Sequence, residues 1–296
     1  MNKNKILIGL MGLILVSCGD KENEESEIEE EQPTETMITL DNCDASISTS
    51  APEFYKNFFS CVEVSSSGSA VTIKTDGNPP YQSWYYPETH SNYIPYEAQG
   101  SQYFRNPNRI AEKNYSVTIQ NNPTPRNLTI NSTLVDGIVN TSNYEYKMGI
   151  AGVALNGVAM FNPLAAPGDD IEDEKYSFDL YNAHPTQDGS YHYHTVSPGP
   201  LEVLKHKGFI QNTTPGSGEF ELYGIMCDGT VILGCTELDG STPTDNDFVA
   251  QNGHVHDIKD QNGVTHFSNR YHTHMCPDVF TNFKFTPEIQ YYQDCN

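Results

Sequence analysis

Much of the chain alternates apolar and polar residues with the period of a half-buried β-strand. The runs AVTIKT from Ala70, YSVTIQ from Tyr115 and LTINSTL from Leu128 show this alternation, and turn-forming sequences separate them. Two further segments are apolar at nearly every position, which is typical of strands buried on both faces. They are GIAGVALNGVAMFNP from Gly149, and FELYGIM from Phe220 followed by TVILG. We predict a buried strand or hairpin in the first and a hairpin in the second.

Helical periodicity is weak throughout. The sequence EFYKNFFSCVEV from Glu53 is compatible with one short helix, and no segment keeps a helical period beyond about three turns. With 22 glycines, 18 prolines and 18 tyrosines among 296 residues, the composition favours short strands joined by turns. We therefore predict a mainly β fold, a single disulfide-bonded β-sandwich or barrel-like domain with few short helices, over residues 38–296.

The N-terminal residues predict export and lipid attachment. The apolar run ILIGLMGLILVS follows a basic start, is too short to span a bilayer and fits the core of a signal peptide at residues 1–17. Its end, LVSC, resembles the lipobox of bacterial lipoproteins, which implies that Cys18 carries acyl chains such as palmitate. An ordinary secretory signal is the alternative. Residues 18–37 are acidic and almost free of apolar residues, so we expect a disordered tether.

The charge of the chain limits its partners. The formal net charge is −23 at pH 7, from 39 acidic and 16 basic residues. Such a surface repels phosphate backbones, which argues against nucleic-acid binding. The expected partners are a metal ion and a membrane, which the protein would reach through its lipid anchor at the outer membrane or cell surface. The sequence names no protein or glycan partner.

Six cysteines follow Cys18, and an even number in an exported protein predicts disulfides. They are Cys43, Cys61, Cys227, Cys235, Cys276 and Cys295. Many pairings are formally possible. Short loops favour the set Cys43–Cys61, Cys227–Cys235 and Cys276–Cys295. A thiolate metal site is the alternative, and the lack of a C-x-x-C sequence argues against it.

Three H-x-H pairs occur, far more than random placement of ten histidines would produce. The pairs are His192/His194, His254/His256 and His272/His274. On a strand, residues i and i+2 face the same side with Cα atoms roughly 6.5–7 Å apart, so two imidazoles can converge on one ion. Imidazoles and carboxylates without free thiols favour zinc, copper or iron, and we expect a divalent ion, with zinc or copper first.

The second half of the chain repeats one arrangement. HPTQDGSYHYH from His184 and HDIKDQNGVTHFSNRYHTH from His256 each place a leading histidine, a turn and then an H-x-H sequence. Both sequences predict a hairpin that brings its leading histidine beside the pair. One ion shared by the two H-x-H strands is our expectation, and two separate sites are the alternative. The predicted metal ligands are His184, His192, His194, His254, His256, His272 and His274.

Other polar residues near these segments have lesser expected roles. Candidates for further ligands, or for hydrogen bonds to the ligands, are Asp228, Asp239 and Asn156. The histidines outside the pattern, which we expect to be ordinary surface or hydrogen-bonded residues, are His90, His206 and His266. Tyr191 and Tyr193 should lie on the opposite strand face and pack there, so Tyr193→Phe is predicted to be nearly silent.

These segments resemble the YHYH-domain family of exported bacterial proteins. The matching sequences are VALNGVAMFNP from Val153, FDLYNAHPTQDGSYHYH from Phe178, YGIMCDGTVILG from Tyr223, and then LDG, NGHVHD and YHTHMCPD. The resemblance covers roughly residues 145–280. The second repeat reads Tyr-His-Thr-His, which keeps both histidines. The resemblance strengthens the predicted site and implies no particular reaction.

Three functions are compatible with these features. The site can capture metal, or it can activate water or oxygen in a metal-dependent enzyme. The sequences H-E-x-x-H and G-x-S-x-G are absent, which argues against the hydrolases that these motifs mark. The sequence does not decide whether the protein is an enzyme of another kind. The alternative is a non-catalytic glycan- or protein-binding surface module with structural histidines. Eight aromatic residues between Tyr81 and Phe104, including Trp84, would favour that module unless they pack in the core.

Overall fold

A computed structural model describes residues 40–43, 45–135, 145–166, 171–243, 245–277 and 286–295. All of these residues belong to one compact unit, residues 36–296. The predicted signal peptide, Cys18 and the acidic tether lie outside the described residues. Within the described parts of the chain, no helix is both long enough and apolar enough to cross a membrane.

The described residues form twelve strands and four short α-helices. The strands are β1 (Ser46–Ile47), β2 (Glu63–Ser66), β3 (Ala70–Thr75), β4 (Tyr115–Gln120), β5 (Gly152–Ala154), β6 (Ala159–Met160), β7 (Ala183–Pro185), β8 (Tyr191–Tyr193), β9 (Leu222–Met226), β10 (Val231–Leu233), β11 (Gly253–Lys259) and β12 (Thr265–His274). The helices are α1 (Glu53–Phe58), α2 (Ser132–Val135), α3 (Ile171–Glu174) and α4 (Pro198–His206). The predicted mainly β fold is confirmed.

The smaller sheet has four strands in chain order, β1-β2-β3-β4. Its alternating sequences behave as predicted: in β3, Val71 and Ile73 are buried in the core while Lys74 is exposed. The short helix expected from Glu53 is α1, and its Phe54 and Phe58 pack in the same core as the strands. That core also contains residues of the larger sheet, so both sheets share it.

The strand predicted from Leu128 is wrong, because the end of that run forms α2. Asn131 precedes the helix, and its side-chain oxygen accepts a hydrogen bond from the backbone N–H of Leu134. Such side-chain capping favours a helix start over a continued strand. Ile130 packs with Tyr271 and Tyr292 in a small separate cluster.

The larger sheet has eight strands in the order β11-β12-β10-β9-β5-β6-β8-β7. The strands β5, β6, β7 and β8 correspond in position to β9, β10, β11 and β12, so the order from one edge repeats the order from the other edge. β5 and β9 meet antiparallel in the centre, where Val153 lies opposite Ile225. On each side, a hairpin is followed by a parallel pair and a second hairpin. The two halves are therefore related by a local two-fold axis at the central pair.

Glycines at the centre support this relation. Gly152 and Gly224 occupy matching places beside the axis, since Gly152 lies opposite Met226 and Gly224 lies opposite Ala154. A Cβ atom on Gly152 would meet the Ile225 carbonyl oxygen, and one on Gly224 would meet the corresponding oxygen of Val153. The close approach of β5 and β9 thus requires glycine in both halves.

All six cysteines expected to form disulfides do so, but two predicted pairings are wrong. Cys43–Cys61 is present as predicted. The other bonds are Cys227–Cys295 and Cys235–Cys276. Cys227 and Cys235 lie at opposite ends of the β9–β10 hairpin, roughly 15 Å or more apart at the rise of a strand, so they cannot be bridged. The parallel pairing of Leu233 with His274 explains the observed bond, because two residues further on it brings Cys235 beside Cys276.

The aromatic segment from Tyr81 is mostly core. Tyr81, Trp84, Tyr85 and Tyr86 are buried. The ring of Tyr81 stacks on Tyr181 with centroids 3.4 Å apart. Core packing is therefore the better interpretation of these four aromatics, and they offer little surface for stacking on a glycan.

Candidate metal centres

A histidine hairpin lies at each edge of the eight-stranded sheet. At one edge, β7 and β8 place His184 directly opposite His192. At the other edge, β11 and β12 place His254 directly opposite His272. The prediction of two similar hairpins is confirmed, with one correction: His254, rather than His256, corresponds to His184. The observed register is displaced by two residues from one that would pair His256 with His272. His254 takes that place, and His256 lies opposite Arg270.

The ligand atoms form two main groups, each held within 4.8 Å. The first histidine cluster consists of His184, His192 and His194. The second histidine cluster consists of His254, His272, His274 and the carboxylate of Glu237. The expectation that both H-x-H strands share one ion is wrong, because the two hairpins form opposite edges of the sheet. The alternative of two separate sites agrees with the structure.

In the first histidine cluster, each ring is oriented by a hydrogen bond at Nδ1. His192 Nδ1 donates to the Ser190 carbonyl oxygen at 2.9 Å, and His194 Nδ1 donates to that of Asn162 at 2.6 Å. His184 Nδ1 lies 2.6 Å from Ser177 Oγ. The Ser177 hydroxyl already donates its proton to a carbonyl oxygen, so His184 Nδ1 must be the donor. All three Nε2 atoms therefore carry lone pairs.

These lone pairs face one another in a buried place. The three rings are 2–3% exposed, and the Nε2 atoms of His192 and His194 are 2.8 Å apart. A proton between the rings would offset their repulsion, but burial lowers the pKa of His184 and His192 well below the ordinary value. Burial also lowers the pKa of His194 to about 4. Neutral, oriented imidazoles with converging Nε2 atoms are the form that binds a metal ion.

In the second histidine cluster, the orientation at Nδ1 is the same. His272 Nδ1 donates to the Arg270 carbonyl oxygen at 3.0 Å, and His274 Nδ1 donates to that of Gly234 at 2.8 Å. His254 Nδ1 donates to the carboxylate of Asp247 at 3.1 Å. Hydrogen bonds of this kind fix the ring and raise its basicity as a ligand.

Glu237 adds an oxygen donor to the second cluster. Its Oε1 lies 3.1 Å from His254 Nε2 and 3.5 Å from His274 Nε2, while its Oε2 lies 3.2 Å from His272 Nε2. The Nε2 atoms of His254 and His274 are 3.1 Å apart. Ligands at 2.0–2.1 Å from a tetrahedral ion are separated by roughly 3.3 Å. These four separations are therefore close to those between the ligands of a tetrahedral zinc site.

The charges differ between the clusters. Burial alone would raise the pKa of the Glu237 carboxyl, but hydrogen bonds from the three imidazoles lower it well below the ordinary value. Burial acts to lower the pKa of His254, but Glu237 and Asp247 outweigh it and raise that pKa. Burial lowers the pKa of His272. The second cluster can thus hold a proton as well as a metal ion.

The two clusters match residue by residue. Phe178, Asn182 and His184 share the spacing F-x-x-x-N-x-H with Phe248, Asn252 and His254. Both asparagines adopt a left-handed conformation, with φ of 56° and 59°. The residues that accept the Nδ1 proton, Ser177 and Asp247, both lie seven positions before their histidine. The two halves of the sheet therefore repeat one local arrangement of residues.

Residues 128–252 match the family model described as YHYH protein. This region is similar to YHYH proteins. Searches of curated proteins and of solved structures found no match. The match begins earlier than the expected residue 145 and ends before the expected residue 280.

The boundary of the YHYH domain match separates the two clusters. The first histidine cluster lies entirely inside it. The matched residues end just before His254, so of the second cluster only Glu237 falls within them. The second cluster is linked to the first by the symmetry of the sheet rather than by the family match.

The candidates for additional ligands lie elsewhere. Asn156 and Asp228 occupy the turns of the two central hairpins: Asn156 donates to Tyr193 Oη, and Asp228 accepts from the backbone and hydroxyl of Thr230. Asp239 is exposed and accepts from Ser241. None of the three belongs to the grouped ligand atoms of the described residues.

The remaining histidines have local partners. His256 is half-exposed and lies 2.6 Å from Asp247, with which it and His254 form a third, more open group. His266 contacts Asp260 at 3.0 Å, and His206 lies 3.5 Å from Asp41. The ring of His90 stacks on Tyr86.

Sequence reasoning missed Glu237, Asp247 and Ser177. Glu237 precedes the LDG sequence that was matched to the family, yet nothing in its spacing marks it as a ligand. The repeat F-x-x-x-N-x-H is the one sequence signal that could have indicated Asp247 and Ser177. It lies just before each leading histidine of the hairpins.

The tyrosines of the Tyr-His-Tyr-His sequence pack on the opposite face, as expected, but they are also hydrogen-bonded. Tyr193 Oη lies 2.6 Å from Tyr81 Oη and accepts from Asn156 Nδ2 at 2.9 Å. Tyr191 Oη donates to Asp179 at 2.7 Å. The prediction that Tyr193→Phe is nearly silent therefore needs revision, because the change would remove two buried hydrogen bonds.

Proposed function

We propose that this chain is an exported, lipid-anchored protein that binds two divalent metal ions, one in each histidine cluster. One observation carries the proposal: in both clusters every Nδ1 atom donates to a carbonyl, carboxylate or hydroxyl oxygen, so the six Nε2 atoms converge in two groups, and those of the first cluster converge as lone pairs. A merely structural hydrogen-bonded patch would not leave lone pairs facing one another.

The donor atoms favour zinc or copper. The first cluster offers three imidazole nitrogens and the second offers three with one carboxylate. Because all six cysteines that follow Cys18 are in disulfides, no thiolate among them competes for the ion. Metal capture, sensing or delivery outside the cytoplasm requires only these ligands.

Metal analysis of the full-length protein, purified without a histidine tag, tests this proposal. We expect about two equivalents of zinc or copper after loading and dialysis, because structural sites of this kind hold metal too tightly for dialysis to remove it. His192→Ala and His272→Ala should each lose about one equivalent. His90→Ala, outside both clusters, is the matched control and should lose none. Retention of less than about half an equivalent by the wild-type protein would contradict the proposal.

Lipid attachment rests on the sequence LVSC alone and has its own test. Cys18→Ser should abolish labelling by radioactive fatty acid and release the protein from membranes or leave it unprocessed. A Cys18→Ser protein that still carried the label would show that the anchor is elsewhere.

A further inference from the structure

The two clusters differ in one donor, and that difference is informative because the rest matches. Asn162 and Gly234 are equivalent, since each accepts the Nδ1 proton of the second histidine of an H-x-H pair. Three residues after Gly234 comes Glu237, the carboxylate of the second cluster. Three residues after Asn162 comes Ala165, which offers no ligand atom. Among the described residues, the grouped donors of the first cluster are three imidazoles.

The first cluster also lines a cavity. His184, His192 and His194 form part of the wall of a space of about 630 Å³. A cavity of this size accommodates a small organic molecule. An ion bound by three histidines keeps a fourth position for an exchangeable ligand, as in open rather than structural zinc sites.

The walls of the cavity are largely apolar. Phe161 and Leu164 line it beside the histidines. Phe104 and Met148 also line it, and these two side chains are 51% and 52% exposed. Large apolar side chains left half-exposed at a cavity favour a ligand with an apolar body.

The charged residues on the wall are acidic. Asp173 and Glu174 line the cavity, and none of the described residues that line it is a lysine or arginine. The Oε1 atom of Glu174 lies 3.7 Å from His184 Nε2. A ligand whose body carried a negative charge would be repelled by these carboxylates.

We propose that the metal ion of the first histidine cluster has an exchangeable position facing this cavity, where it takes a small ligand with one nitrogen or oxygen donor, an apolar body and no negative charge. The second histidine cluster is closed by Glu237 and takes no such ligand. This inference rests on the proposed binding of metal by both clusters, and it concerns what the first ion binds in turn.

Cobalt spectroscopy on full-length variants tests it. His272→Ala leaves the first cluster intact and His192→Ala leaves the second, and each is loaded with Co²⁺. Imidazole and 4-phenylimidazole are then titrated while the visible absorption of the cobalt is followed. In His272→Ala, both should change the spectrum, and 4-phenylimidazole should bind about 10-fold more tightly, as partial burial of a phenyl ring predicts. In His192→Ala, neither should change it.

Two further arms test the cavity itself. In the His272→Ala background, Phe104→Ala and Met148→Ala should reduce the preference for 4-phenylimidazole by about 3-fold or more, with imidazole affinity unchanged. 4-(Imidazol-4-yl)benzoate, which adds a negative charge, should bind more weakly than 4-phenylimidazole. Equal spectral responses in the two single-cluster proteins, or no response in the first, would overturn the inference. Failure to take up cobalt, or its loss during titration, would instead overturn the proposed metal binding.

Discussion

The two histidine clusters are built alike around Nδ1 and differently around Nε2. In both, carbonyl oxygens and one side chain hold the three rings in place. In the second cluster, Glu237 lies among the Nε2 atoms and can pair with a proton or a metal ion. In the first, two Nε2 lone pairs face each other at 2.8 Å without such a carboxylate in the group.

The difference shows how one scaffold can support two kinds of site. The two-fold relation of the sheet sets the histidines, and a single position beyond the sheet decides whether a carboxylate joins them. In the second cluster, ion pairs with Glu237 offset part of what is lost when no ion is bound. In the first, the Glu174 carboxylate lies 3.7 Å from His184 Nε2 and outside the grouped donor atoms, so the stability of this cluster should depend more on metal.

Metal removal should give the largest contrast. In His272→Ala, which keeps the first cluster, chelation should lower Tm by on the order of 10 °C, since an ion at about 1,000 times its Kd adds about 4 kcal/mol. In His192→Ala, which keeps the second cluster, the decrease should be clearly smaller. Differential scanning calorimetry with and without chelator measures both. A larger decrease in His192→Ala would reverse the interpretation of Glu237.

Replacement of the carboxylate should affect one cluster only. Glu237→Ala should weaken zinc binding by the second cluster by about 100-fold or more, because loss of a direct ligand exceeds the 10–100-fold cost of losing an outer partner. The affinity of the first cluster should not change. Competition with a chromogenic chelator in the two single-cluster backgrounds gives both constants. Asp239→Ala is the control, because Asp239 is an exposed carboxylate close in sequence.

Acid should release metal from the second cluster first. Protons compete with metal for Nε2, so a lowered pKa keeps the ligand available to lower pH. Burial lowers the pKa of His184, His192 and His194, whereas Glu237 and Asp247 raise that of His254. Stepwise dialysis from pH 7 to pH 4 should show half-release from the second cluster about one pH unit or more above that from the first. Simultaneous release would contradict this order.

The smallest expected difference concerns the tyrosines on the strand faces opposite the histidines. Tyr193→Phe should lower the free energy of unfolding by about 2 kcal/mol, since Tyr81 and Asn156 lose a buried partner. Tyr271, the counterpart of Tyr191 in the second repeat, accepts from Gln251, so Tyr271→Phe should cost about 1 kcal/mol. Urea denaturation measures both. Equal costs would mean that the network behind the first cluster adds nothing beyond one hydrogen bond.

Some of the candidate site follows from sequence and some does not. The H-x-H spacing was enough to predict both histidine strands, because the period of a strand alone puts i and i+2 on one face. It could not tell whether His254 or His256 faces the partner strand, since that depends on a register shift in β11. It also could not indicate Glu237, whose part in the second cluster depends on how the chain folds beyond β10.

The sequence by itself determined the mainly β class, the number of disulfide cysteines, two histidine hairpins and the resemblance to the YHYH family. These depend on local periodicity, composition and short motifs, which are properties of neighbouring residues. Only the tertiary structure decided that the hairpins occupy opposite edges of one sheet, that there are two clusters instead of one, and that Cys235 pairs with Cys276. Each of these depends on the order and register of strands distant in sequence, which local patterns do not specify.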